Sequence, residues 1–170
     1  MVRIVVVVAL KVLLPLLILR FPFAAGWANF VLDSVDGDIL MPAGLPESTY
    51  QVIDKVTDWL TYVCILIWAW RGPIRKEIAV TFVLRSVGQA LFLVTRNELW
   101  LFFFPNLIEP LFLVYVTIGR LKGWDRVHGI YRRRAVVIWV FILLYKLQDE
   151  WVTHVGNVDR SEFLGRLLGR

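Results

Sequence analysis

Five aspartates, Asp33, Asp36, Asp38, Asp54 and Asp58, carry the clearest chemistry in this chain by their type and spacing. Asp33 and Asp36 are three apart, and Asp54 and Asp58 are four apart, so each pair shares one face of a helix. A connecting loop lets the two pairs face each other. Four carboxylates converging from two antiparallel helices repel one another unless cations sit between them. All-oxygen ligation suits Mg2+ or Mn2+, with Ca2+ also accommodated. Two such ions can clamp a phosphate or pyrophosphate and activate a hydroxyl. The spacing within 33–38 is not that of an EF-hand loop. The same residues also read as an exposed acidic loop over 33–38, with Asp58 paired to Lys146 and Asp54 to Lys55 or solvent.

A second reading comes from resemblance. The run Asp33-Ser34-Val35-Asp36-Gly37, followed by Asp54 and Asp58, resembles the signature of the CDP-alcohol phosphotransferases. That signature reads Asp, two residues, Asp-Gly, two residues, Ala-Arg, eight residues, Gly, three residues, Asp, three residues, Asp. All four acids and the first glycine fall in place, across 26 of 170 residues. Leu40-Met41 stands where the family has Ala-Arg, and Tyr50 where it has the second glycine. The resemblance implies a membrane transferase of phospholipid metabolism with Asp33, Asp36, Asp54 and Asp58 as ligands of Mg2+ or Mn2+. It further implies Asp58 as the base that deprotonates the acceptor alcohol. Gly37 would allow close approach of a nucleotide-activated donor, with Asp38 beside it in the substrate site. The family's bundle has six helices, one of them complete ahead of the motif, and its site faces the cytoplasm.

Further charges lie at membrane depth within apolar segments, where they are costly and are functional candidates by default. Counted inward from the basic-loop side, Arg85 and Glu109 fall at similar depth, as do Gln89 and Asn106. Asp58 and Lys146 do likewise, and Lys55 approaches the depth of Asp149 and Glu150. The expectation is an intramembrane polar network of Arg85, Gln89, Asn106, Glu109 and Lys146, with Arg85–Glu109 and Asp58–Lys146 as interhelical pairs. The plainer alternative is that these charges only neutralise one another and fix helix register. Pro105 and Pro110 flank Asn106 and Glu109, so that helix is expected to bend, and the freed backbone groups must find partners.

The elements that must position these groups are apolar helices. Of 170 residues, 58% are hydrophobic and eight are Trp, and the mean hydropathy is +0.66. A soluble domain sits nearer 45–50% apolar. The expected fold is an all-α polytopic membrane bundle of about five transmembrane helices, forming a single domain over 1–170. The segments are 4–32 (one long kinked helix, or a helix and a shorter one from Phe23), 52–70, 78–95, 99–118 and 135–155, with a polar loop at 33–51. Spanning needs about 20 mostly apolar residues. Residues 159–170 read as a short amphipathic tail helix capped by Asp159 or Ser161. The N-terminal stretch reads as a retained helix, not a cleaved signal peptide.

Loop 71–77 holds three Lys or Arg and loop 119–134 holds six, whereas loop 33–51 holds none. The positive-inside rule puts both basic loops in the cytoplasm and the acidic one outside, in a bacterial-type inner or plasma membrane. Net charge is +5, and its placement beside membrane segments points to lipid headgroups, not nucleic acid. The single Cys64 excludes a disulfide framework. His128 reads as headgroup-facing, and His154 as interfacial or as a pH-sensitive neighbour of Glu150.

Three functions follow from this pattern. The first is a metal-dependent phosphotransferase acting on a lipid or nucleotide-activated substrate. The second is a small transport or proton-conducting bundle. The third is a non-catalytic accessory subunit of a larger membrane complex, and the expected partners beyond lipid are a second copy of the chain or a membrane-complex partner.

Overall fold

The computed structural model describes residues 1–97 and 99–154, without the side chains of 150 and 152–154. The expected tail helix, and the side chain of His154, lie outside them. The described residues are all helical: α1 (Val2–Ile18), α2 (Pro22–Leu40), α3 (Glu47–Ala69), α4 (Arg75–Thr95), α5 (Leu99–Phe103), α6 (Ile108–Lys122), α7 (Val127–Arg133) and α8 (Ala135–His154). One of these, Arg75–Thr95, is both long and apolar enough to cross a membrane. The others miss that standard for visible reasons. α1 has 17 residues and α6 has 15, short of the about 20 that a perpendicular span takes. α2, α3 and α8 carry three or more acids and lysines each.

The first segment is two helices, not one long kinked one. Pro22 opens α2 at its first position, where its missing N–H costs nothing. The residue before a proline is pushed out of the helical region, and Phe21 has φ −128° and ψ 64°. α2 then folds back along α1. It also runs on through Leu40, so Asp33–Asp38, expected in a loop, is helical. Polarity misplaces the helix end here because Asp33 and Asp36 face another helix, whereas only Asp38 is on the exposed side.

The expected bend in the fourth segment is a complete break. α5 stops at Phe103 and α6 begins at Ile108, with Pro105 between them. Pro110 falls in the first turn of α6, where no helical donor is needed. The Asn106 side-chain oxygen accepts from the Glu109 N–H at 3.4 Å. Across the break, Arg85 of α4 donates to the carbonyls of Leu101 (3.2 Å) and Phe104 (3.0 Å). Freed backbone groups therefore do find a partner inside the bundle, as the prolines required.

α4 meets this broken segment at Gly88. A Cβ there would lie 2.4 Å from the Phe104 Cβ and 3.2 Å from the Trp100 carbonyl oxygen. Neither atom is the free end of a flexible side chain. Gly88→Ala is expected to cost about 1–3 kcal/mol, as overpacking does, read as a lower midpoint in a denaturing-detergent titration. An unchanged midpoint would mean that the two segments slide apart freely.

The apolar core gathers toward one end, around Tyr62, Ile65, Ile78, Phe112, Val116 and Ile142. At that end Gly72, Pro73, Ile74, Trp124, Asp125 and Val127 line one cavity, so the two basic segments meet there. The second of them is not simply a loop, since α6 continues to Lys122 and α7 occupies Val127–Arg133. The outer faces of the helices are apolar: Val80 is 69% exposed, Phe141 64% and Val136 77%.

Candidate functional site

The spacing of the aspartates does what the sequence asks of it. Asp33 and Asp36 on α2, and Asp54 and Asp58 on α3, come together in one region of the bundle interior. Asp58 lies eleven residues from each end of α3, about 16 Å at the helical rise. The site is therefore deep between the two ends. Oxygens of Asp33, Asp36 and Asp54 lie within 4.8 Å of one another, a group that could hold a metal ion.

The centre of that triad carries a residue that sequence reasoning missed. Lys11 of α1 places its Nζ 3.0 Å from Asp33 and 2.7 Å from Asp54, and against the second oxygen of Asp36. An ammonium has three protons to donate, and here three carboxylates receive them. The signal was present, since Lys11 is the single charged residue between Arg3 and Arg20. A lone lysine in an apolar helix needs a partner by default.

Charges alternate onward from there. Lys55 Nζ lies 2.7 Å from the other oxygen of Asp54 and 3.7 Å from Asp58. Asp54 thus stands between two lysines. Asp58, expected opposite Lys146, has Lys55 as its ion-pair partner, and Lys146 meets Asp149 on its own helix. Asp58 and Lys146 still face the same cavity.

The two signature departures have structural consequences. Tyr50, in place of a glycine, donates its hydroxyl to Asp36 at 2.9 Å. A Cβ on Gly37 would meet that hydroxyl at 3.0 Å. The space over Gly37, expected to admit a nucleotide, is therefore taken by the Tyr50 ring. Met41 caps the end of α2 and is exposed. Asp38, expected in the substrate site, sits on the exposed side of α2 and does not line the cavity.

Of the expected network, Arg85, Gln89, Asn106 and Glu109 are each at most 7% exposed and Lys146 is 12% exposed. Arg85, expected to pair with Glu109, instead donates to the carbonyls of Leu101 and Phe104. Arg85, Asn106 and Glu109, with Lys146, line the same cavity as the aspartates. Glu109 accepts from Asn106 (3.3 Å) and from Asn29 of α2 (3.4 Å), a residue not singled out from sequence. Arg85 is anchored on the carbonyls of the helix break, as described above. The Gln89 amide nitrogen and the Tyr62 hydroxyl are buried without a hydrogen-bond partner among the described residues.

The cavity has a volume of about 270 Å3 and is open on one side. Asp36 and Lys11 stay behind its wall, whereas Asp33, Asp54 and Asp58 face it. Among the described residues, the lining and the two groups behind it hold the acids Asp33, Asp36, Asp54, Asp58, Glu109 and Asp149 and the bases Lys11, Lys55, Arg85 and Lys146. A second cavity, about 520 Å3 and almost wholly apolar, lies between α2, α6 and α8 and shares Phe30 and Tyr145 with the first.

No family model, curated protein or solved structure matches this chain.

Proposed function

We propose that the chain is an integral membrane protein that binds a divalent cation, Mg2+ or Mn2+, in this cavity and transfers a substituted phosphoryl group in lipid-headgroup chemistry. It would do so in the manner of a divergent CDP-alcohol phosphotransferase. The observation that carries the reading is the convergence of Asp33, Asp54 and Asp58 with Lys55, Arg85 and Lys146 on one open cavity. Acids alone would repel a phosphate, and bases alone would not hold a metal. The mixture accommodates a phosphate bridged to a cation.

The membrane part of the reading is supported by inverted polarity. Lys11, Asp36 and Arg85 are at most 4% exposed, while large apolar side chains cover the outside of α1, α4 and α8. Contiguous exposed apolar surface of that extent marks contact with lipid or partner chains. The meeting of both basic segments at one end accords with that end being cytoplasmic.

The bound cation would supply charge neutralisation on the transferring phosphate. The protein's own groups would do the rest. Asp58 would take the proton of the acceptor hydroxyl as its oxygen bonds to phosphorus. The pyrophosphate P–O bond would break, and a nucleoside monophosphate would leave toward Lys55, Arg85 and Lys146. These three bases supply the positive charge that Met41 does not. The adjoining apolar cavity would receive the acyl part of an amphiphilic substrate.

The test is a thermal shift of the detergent-solubilised protein with Mn2+ and Mg2+, comparing wild type with Asp54→Asn/Asp58→Asn. The quantity read is the metal-induced increment, since the baselines will differ. An increment of several degrees in wild type that vanishes in the variant is expected, followed by release of nucleoside monophosphate from a nucleotide-activated lipid. No increment in either protein would overturn the reading.

A further inference from the structure

A cation already stands where the triad's ligand atoms converge, and it is covalently part of the chain. The Lys11 ammonium is 4% exposed and is held by carboxylates from α2 and α3. Its three contacts are with the same three carboxylates whose oxygens lie within 4.8 Å of one another. We infer that Lys11 is a tethered cation occupying the Asp33–Asp36–Asp54 position, so that a divalent ion binds this protein only on the cavity side, at Asp33, Asp54 and Asp58.

The geometry separates the two positions. Asp36 is fully buried and does not reach the cavity, and its oxygens are taken by Lys11 and Tyr50. Asp33 has one oxygen on Lys11, and Asp54 has one on Lys11 and the other on Lys55. Lys55 also pairs with Asp58 but, unlike Lys11, lines the cavity and has open space to give way to an entering ion. Asp33 and Asp54 also line the cavity, together with Asp58. Lysine's charge is single and strongly bound to its stem, so it cannot leave the site as a metal ion can. An ion entering the triad itself would have to push the ammonium into an apolar surround or into like charge.

This inference builds on the cation-binding reading above, yet it fails separately. The experiment is Mn2+ titration of the detergent-solubilised protein, counting bound ions by the loss of the free-ion spin-resonance signal. Wild type is expected to bind one Mn2+ and Lys11→Met to bind two. Lys11→Gln, which keeps a hydrogen-bond donor but no charge, should gain the same additional ion and guards against a folding failure of the methionine variant. Lys11→Met/Asp36→Asn, which also removes a ligand of the inner position, should return to one. If wild type binds none and the Lys11 variants bind one, the tethered cation stands and the cation-dependent function falls. If the Lys11 variants bind no more Mn2+ than wild type, the inference is overturned.

Discussion

Arg85→Met should be among the most destabilising single substitutions in this protein. The guanidinium holds the Leu101 and Phe104 carbonyls, freed where α5 breaks before α6. Methionine fills much of the same volume and donates nothing. Two buried acceptors then lose their partner, at about 1–3 kcal/mol each. A loss of about 2–6 kcal/mol follows from that sum. Arg85→Lys should recover part of it, because both carbonyls are held by a single guanidinium nitrogen, Nη1, and an ammonium can donate twice but ends one bond short of that position. A denaturing-detergent titration followed by Trp fluorescence measures the total. Hydrogen exchange locates it, with amides of residues 99–109 exchanging faster in Arg85→Met while those of α3 hold. Equal exchange in that segment would show that the break is held by something other than Arg85.

The second large effect belongs to Asp54, a carboxylate that serves two lysines. Asp54→Ala leaves Lys11 and Lys55 with less counter-charge inside the bundle, where removing one member of a buried pair costs about 3–5 kcal/mol. Lys11 retains Asp33 and Asp36, and Lys55 retains Asp58, which sets the expectation at the lower end of that range. Asp54→Asn keeps an accepting oxygen and should lose roughly half as much. In a double-mutant cycle, Asp54→Asn and Lys11→Met should be strongly non-additive, because each removes the reason for the other. Additive losses would mean that Lys11 draws its stabilisation from α2 alone.

Much of the site is legible because helical spacing is local. Asp33 with Asp36, and Asp54 with Asp58, declare a shared face within four residues of chain, and the structure delivers both pairs to one region. The burial of Arg85, Gln89, Asn106 and Glu109 was legible for a similar reason, as polar residues stranded in apolar runs. What stayed hidden were partners chosen at a distance. Lys11 meets acids 22 to 43 residues away, and nothing in its own neighbourhood announces them. The two prolines foretold disruption in the fourth segment. Whether that meant a bend or a break depended on Arg85, 16 to 19 residues upstream. The end of α2 was misplaced because acids were taken to face water. Tyr50 read as a lost glycine, whereas it has a partner of its own in Asp36.

The contact between Tyr50 and Gly37 ties two positions into one heritable unit. A Cβ at 37 would meet the phenol at 3.0–3.3 Å, so a change at 37 alone must shift the Tyr50 ring. A change at 50 alone leaves a void above the glycine and takes a donor from Asp36. Sequences descended from a common ancestor with this one should therefore vary at these positions in concert: a bulky residue at 37 only where 50 is small, and glycine at 37 wherever tyrosine stands at 50.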